Sequence, residues 1–390
     1  MAYEFERGMP INYEGRDHYC AQARLRRKLR KTDSINLEDL DHAFHCLPDK
    51  NKALEADYRI KDKLNEVLKK IRNGTYGPSK VKTKKIPKSS GGLRTLDIPD
   101  ILDRAVAKAV LEKISAVVDA KFDSRSHGGR PEKSIQSAIA AAHKALEEGM
   151  NYAIEADIKD AFPNTPTEGA IAILERLSGR HKCMESAKVC IRGHKGAVRK
   201  TGLKQGCPLS PISFNAYMHE WTDSLVPIDA DICYVRYLDN LYLFGKDPNK
   251  LANIMAIING SLTGKGFVLK TSPCLDLKSE KLSILGFQVG LDGSKIEILG
   301  DKDSFKDLAF SLERAYDEPN SHKLGKPKVD SWLSSQALRT SWDLKDTHLV
   351  NELLEYHGFQ YRLNHEDVIK DLQDQRSSWS KKYNLNSHTP

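Results

Sequence analysis

Two aspartates in this sequence stand where a carboxylate can do chemistry. Asp157 lies near the end of the short apolar run Tyr152-Ala153-Ile154-Glu155-Ala156-Asp157-Ile158, just ahead of Phe162-Pro163. Asp239 lies within residues 232–244, a stretch rich in β-formers with a polar pair in its middle. That is the pattern of a β-hairpin with Leu238 and Asp239 near its tip. A strand ending in a carboxylate can aim it across a sheet at a second one on a neighbouring strand. Two carboxylates so placed can hold a pair of Mg²⁺ ions about 4 Å apart, which suits in-line phosphoryl transfer. One ion activates a hydroxyl and the other stabilises the leaving group. Mg²⁺ asks few ligands of the protein, because substrate phosphates and waters complete its shell. On spacing alone, a strand-end aspartate is more often a turn former or a helix cap.

The elements that must position these residues follow from periodicity. Leu54, Tyr58, Leu64, Val67, Leu68 and Ile71 recur at helical spacing and predict one helix over 52–72, ended by Asn73-Gly74. Residues 80–99 read as a basic hairpin turning at Ser89-Ser90-Gly91-Gly92. Asp100 is placed to cap a helix whose Leu102, Val106, Val110, Ile114 and Val118 form one apolar stripe. A second amphipathic helix runs through Ile135, Ala138, Ile139, Ala142 and Leu146. Further helices are expected at about 167–177, at 210–222 and after Asp247-Pro248, the last carrying Leu251, Ile254, Met255, Ile258 and Leu262. Residues 281–299 read as short strands turning at Asp292-Gly293, and from about 301 the pattern is helical and polar. Among the tail's charges stand Trp332, Trp342, Tyr356, Phe359, Tyr361 and Trp379, read mostly as the core of a helical region rather than as base-stacking platforms.

Composition narrows the class. At 390 residues the chain exceeds one compact core and predicts two or three subdomains. A hydrophobic fraction of 39% and a mean hydropathy of −0.53 are those of a globular protein. No run approaches the roughly 18 apolar residues of a membrane span, and the first residues lack the apolar stretch of a secretory signal. A cytoplasmic protein without a membrane partner is expected. Seven scattered cysteines form no CxxC pair, which fits reduced thiols and no structural metal. The net charge is +8, and residues 1–150 hold 30 Lys and Arg against 22 Asp and Glu, so the whole excess sits there. Dense clusters at 24–31 and 80–85 make a polyanion the natural partner, a solvated basic surface being the bland alternative.

Several ordered motifs then carry a family resemblance. Ile86-Pro87-Lys88-Ser89-Ser90-Gly91-Gly92-Leu93-Arg94-Thr95-Leu96-Asp97-Ile98-Pro99 resembles the fingers motif IPKxxGxxRxLxIP of bacterial reverse transcriptases, and Asp103-Arg104 the pair that follows it. Residues 126–134 resemble SYGFRPGRS, and Asp157-Ile158-Lys159-Asp160-Ala161-Phe162 the palm motif DIxxxF. Residues 202–211 are similar to GLPQGxPLSP, Tyr237-Leu238-Asp239-Asn240 to the YxDD box, and Leu285-Gly286-Phe287 to the primer grip. The resemblance covers about residues 70–290 and points to the group that includes group II intron, retron and defence-associated enzymes.

The resemblance implies a fold class, α+β with a right-hand polymerase architecture. A basic helical extension would occupy 1–74, fingers 75–150, a palm with an antiparallel sheet 151–298 and a helical thumb 299–390. It implies RNA-directed DNA synthesis from dNTPs, with Mg²⁺ or Mn²⁺ as cofactor. The template would be an RNA, a structured non-coding RNA fitting the basic first part, and an oligomer or partner protein is compatible with it. Asp157 and Asp239 would hold metal, assisted by the backbone carbonyl of Ile158, with Asn240 beside them. Lys88 and Arg94 would lie over the triphosphate. Arg104 would assist there or form a helix-surface salt bridge. Phe162 would stack beneath the incoming sugar and exclude a 2′-hydroxyl, or simply pack in the core. Gln205 and Gly206 would let template or nucleotide approach bare backbone, or form a plain turn. Lys278, with Lys281 as its alternative, would protonate pyrophosphate; both also read as surface lysines. Arg130 would order the fingers near the primer-template. Tyr237 would be a packing residue or a primer contact, and Leu285, Gly286 and Phe287 would grip the primer.

The chain departs from the family pattern at Asn240, where the box has its second aspartate. The change removes one negative charge and keeps an oxygen ligand. It fits an active enzyme with altered metal preference, and it fits a silent RNA-binding scaffold. An untemplated nucleotidyl transferase and an RNA-dependent RNA polymerase are further alternatives, and Phe162 argues against the latter. With no Cys/His nuclease module, an intact QGxxxSP box and no Val-Thr-Gly in the tail, elimination leaves a compact bacterial reverse transcriptase, with the antiviral-defence branch as candidate.

Overall fold

The computed structural model describes residues 34–87, 93–193, 200–316 and 325–385. The basic cluster at 24–31 and the expected site residue Lys88 lie outside them. Contacts divide the chain into two compact units. One comprises residues up to Thr83, Asp97–Phe122 and Thr165–Tyr217; the other comprises Lys84–Leu96, Asp123–Asn164 and Met218–Pro390.

The first unit is helical and built on Ile101–Asp119. Val106, Val110, Ile114 and Val118 of its stripe are fully buried, and the Asp100 carboxylate caps the helix by accepting from the Leu102 N–H at 3.0 Å. Helices Leu37–His45, Thr167–Ser178 and Met184–Arg192 pack around it. Inside, Asp103 accepts from the Tyr76 hydroxyl and the Ser79 N–H, both at 2.8 Å, and burial pushes its carboxyl up. The single helix expected over 52–72 is two, Lys50–Ala56 and Ile60–Arg72. Asp57 breaks it: its carboxylate takes the Arg59 N–H at 2.8 Å and the Lys63 ammonium, a local bonding pattern that competes with the helix. Tyr58, placed on the apolar stripe by periodicity, is 88% exposed.

The second unit carries antiparallel sheets. β1 (Lys82–Pro87) pairs with β2 (Leu93–Ile98) in a hairpin whose tip belongs to this unit and whose base, up to Thr83 and from Asp97, belongs to the first. The main sheet runs β4 (Ile232–Tyr237), β5 (Asn240–Gly245), β3 (Tyr152–Ile158), β6 (Leu269–Thr271), with β7 (Leu275–Asp276) also on β3. β8 (Leu282–Ile284), β9 (Phe287–Asp292) and β10 (Lys295–Gly300) form a third sheet. Helix Ile135–Glu147 shares one core cluster with residues of all these strands except β1, β2 and β6, including Ala153, Val235, Tyr242, Phe244, Phe287 and Val289. Helix Pro248–Thr263 starts on the Asp247 cap, as read from the sequence. The C-terminal helices from Lys302 to Tyr383 enclose a second cluster around Leu312, Val329, Val350 and Leu354. Trp342, Phe359 and Trp379 are buried, and Trp332 and Tyr361 pack against that cluster; Tyr356 is exposed. The α+β class with an antiparallel palm sheet and helical C-terminal region, the right-hand polymerase type, is the fold observed.

Candidate active site

One face of the main sheet grades from oil to charge. Along β3, Ala153, Glu155 and Asp157 point the same way, as alternate residues do. Their partners on β5 are Phe244, Tyr242 and Asn240, and those residues' partners on β4 are Cys233, Val235 and Tyr237. The Ala153 end belongs to the core cluster. The Asp157 end is only half buried.

Asp157 and Asn240 are direct partners across the sheet. Asp239 occupies the two-residue turn between β4 and β5, and its carbonyl accepts from the Ile158 N–H at 3.1 Å. Leu238, before it, has φ +54 in the left-handed region. Asp157, Ile158, Asp239, Asn240 and Tyr237 are thus brought to one end of one sheet. The donors are all oxygen: two carboxylates, an amide and backbone carbonyls, a hard set that suits Mg²⁺ or Mn²⁺. Glu155 shows the crowding of negative charge there: burial first, and the Asp157 charge second, push its carboxyl up. Burial, together with Glu155, Asp157 and Asp239, likewise holds the Tyr242 hydroxyl protonated.

The other expected residues fall in various places. Phe162 sits half-buried on the short helix Ala161–Asn164, which leaves β3 through Asp160 at φ +47. Arg94 lies on β2. Arg104, expected at the triphosphate or in a salt bridge, forms the salt bridge: its two terminal nitrogens grip both Asp49 oxygens and Nε donates to the Pro99 carbonyl. Gly206 has φ +116, and a Cβ there would lie 3.0 Å from the Asp97 carbonyl, so within its own unit the glycine admits a neighbouring strand's backbone. Gln205 buries its Oε1 with no hydrogen-bond partner. Arg130 donates to the carbonyls of Asp123 and Ser126, a loop-ordering role. Tyr237 packs half-buried against the core cluster. Leu285 (φ +51) and Gly286 (φ +87) make the β8–β9 turn, with Phe287 buried behind it.

Register places Lys278 away from Asp157. β7 pairs Asp276 with Tyr152, at the far end of β3 from Asp157, about 17 Å away at the usual rise per strand residue. Lys281 is engaged by Glu297 at 2.7 Å. The lysine opposite Asp157 in register is Lys270, its direct partner on β6, exposed on the same face. Sequence reasoning missed it because one lysine after an apolar triplet looks like any surface lysine. It also missed Arg236, although a charge inside a run of β-formers is a signal, since a buried charge needs a partner.

A carboxylate on a strand and one in the adjoining hairpin turn thus share one end of an antiparallel sheet. The family model described as reverse transcriptase (RNA-dependent DNA polymerase) matches residues 86–289, more than half of the chain, and the chain belongs to that family. The group II intron-encoded protein LtrA of Lactococcus lactis subsp. cremoris is 26% identical over 174 residues, 42% of this chain and 28% of LtrA. Protein YkfC of Escherichia coli (strain K12) is 28% identical over 197 residues, 48% of each chain. The chain thus spans less than half the length of these curated relatives. Among solved structures, a telomerase from Candida albicans in complex with a fragment of telomeric RNA is similar at a TM-score of 0.49 and 13% identity, over 80% of this chain and 60% of that one.

Proposed function

We propose that the chain is an RNA-directed DNA polymerase that adds dNTPs to a 3′-hydroxyl. The observation that carries the reading is the pairing of Asp157 with Asn240, with Asp239 tied by its carbonyl to Ile158. Family membership supplies the reaction class, and the oxygen-only donor set supplies the cofactor class, a divalent Mg²⁺ or Mn²⁺. Asp157 and Asp239 would hold the ions, with Asn240 and the Ile158 carbonyl as neutral oxygens. When bound, they would lower the charge barrier to hydroxyl attack and pyrophosphate departure. The chain's own residues orient the reactants. Phe162, just beyond β3, would lie under the incoming sugar and disfavour a 2′-hydroxyl. Lys270, opposite Asp157 in register, would meet the departing pyrophosphate and give it a proton.

The division into extension 1–74, fingers 75–150, palm 151–298 and thumb 299–390 belongs to the same proposal. So do the primer role of Leu285-Gly286-Phe287, a structured RNA template drawn to the basic first part, and a place in antiviral defence. Asn240 favours one rival, a silent RNA-binding scaffold.

The test is labelled dNTP incorporation by purified protein with its co-purifying nucleic acid retained, in Mg²⁺ and in Mn²⁺. Wild type makes DNase-sensitive product, and Asp239→Ala lowers the rate about 10³-fold. A wild type silent in both metals, unrestored by Asn240→Asp, overturns the polymerase reading in favour of the scaffold.

A further inference from the structure

We propose that Arg236 and Asp223 are positioning residues, a buried ion pair that fixes the turn carrying Asp239. What that turn does rests on the polymerase reading; the geometry of the pair does not. Both side chains are 0% exposed. Arg236 Nε donates to Asp223 Oδ1 at 2.7 Å and Nη2 to Oδ2 at 2.8 Å. The remaining nitrogen, Nη1, donates at 3.1 Å to the carbonyl of Leu238, the residue before Asp239. Asp223 is itself fixed by the Tyr234 hydroxyl at 2.9 Å and the Thr222 hydroxyl at 3.1 Å. The Arg236 backbone is held as well: its N–H donates to the Arg125 carbonyl at 3.0 Å, and its carbonyl accepts from the His127 N–H at 2.7 Å. From the same loop Gly128 closes on the turn, where a Cβ would lie 2.6 Å from the Leu238 nitrogen.

A buried ion pair is a poor device for stability alone, because desolvation offsets most of the attraction and an apolar pair often does as well. What it supplies is direction. The guanidinium is a rigid planar fork that reaches the two carboxylate oxygens and a third acceptor at fixed angles. Leu238 is a non-glycine residue at positive φ, a conformation that persists where the surroundings impose it. Arg236 therefore ties the orientation of Asp239 to Asp223, sixteen positions earlier in the chain. A lysine has one nitrogen at its tip and cannot reproduce the fork.

Arg236→Lys and the isosteric Tyr234→Phe are compared with wild type by Mn²⁺ titration followed by electron paramagnetic resonance. Single-turnover dNTP incorporation, dNTP KM and the thermal midpoint are read alongside. Folded Arg236→Lys is expected to bind Mn²⁺ about tenfold more weakly, the lower end of the loss that follows when the support behind a metal ligand is removed. Its turnover falls about 10- to 100-fold with dNTP KM little changed, the mark of a misplaced reacting group. Tyr234→Phe moves both in the same direction by a smaller factor. A folded Arg236→Lys with wild-type Mn²⁺ affinity and rate overturns the proposal, as does a loss that only tracks the unfolded fraction. If Arg236→Lys does not fold, unchanged affinity and rate in Tyr234→Phe overturn it in the same way. If wild type binds Mn²⁺ yet incorporates nothing, while the variants bind more weakly, the polymerase reading falls and the positioning assignment stands.

Discussion

Two turns of the second unit solve the same geometric problem differently. The β4–β5 turn, Leu238-Asp239, and the β8–β9 turn, Leu285-Gly286, each hold a leucine in the left-handed region, at φ +54 and φ +51. The second turn follows its leucine with a glycine at φ +87 that has open space around it. It is tied down lightly: the Gly286 carbonyl accepts from the Asp301 N–H at 3.0 Å. The first turn contains no glycine, and its second position carries the Asp239 carboxylate proposed to hold metal. Its shape comes from outside, through the Arg236 guanidinium and the close approach of Gly128. Where a turn offers only backbone, glycine can set its shape locally. Where it must present a side chain, the glycine moves to the neighbouring loop and tertiary contacts enforce the shape.

That contrast can be broken from either side. The largest effect is expected at Gly128→Ala, whose new methyl would press on the backbone of Leu238 and Tyr237 as well as on the Leu238 side chain. It should cost about 2 kcal/mol or more, as overpacking does, and lower polymerisation along with stability. Chemical denaturation and incorporation assays on one preparation read both. The corresponding change in the other turn, Gly286→Ala, meets no neighbour and strains only φ. It should cost about 1 kcal/mol and leave the rate nearly intact. Equal losses in the two variants would remove the distinction.

Acid provides an intermediate test. His127, in the loop that holds the first turn, places its Nδ1 2.7 Å from the Ser137 hydroxyl. Burial, then the charges of Lys133, Arg130 and Arg236, lower its pKa to about 3. The unfolded chain binds this proton near pH 6.5, so between 6.5 and 3 the unfolded state holds more protons than the folded one. Stability from this group is therefore complete above 6.5 and falls with acidification by up to about 1.4 kcal/mol per pH unit. Urea midpoints from pH 7.5 to 5 should drop less steeply in His127→Asn than in wild type. Parallel slopes would show that His127 is protonated inside the fold.

The sequence by itself determined the motifs and the strand and hairpin that carry Asp157 and Asp239, because β-former runs and turn residues are local signals. It determined the capped, striped helix at 101–119 for the same reason, and the packing of Trp332, Trp342, Phe359, Tyr361 and Trp379, though not of Tyr356, into apolar clusters, because large rings leave water wherever a core exists. Tertiary structure decided what depends on pairing between distant segments. Register put Lys270 rather than Lys278 beside Asp157, and a shift along one strand is invisible in composition. A carboxylate 55 positions away claimed Arg104. Asp57 divided a helix that periodicity had joined, because a side chain's bonds to nearby backbone and lysine outweighed the apolar spacing. The partner of Arg236 also came only with the fold: a buried charge announces in sequence that it needs a counter-charge, but not which residue supplies it or which turn the pair then holds.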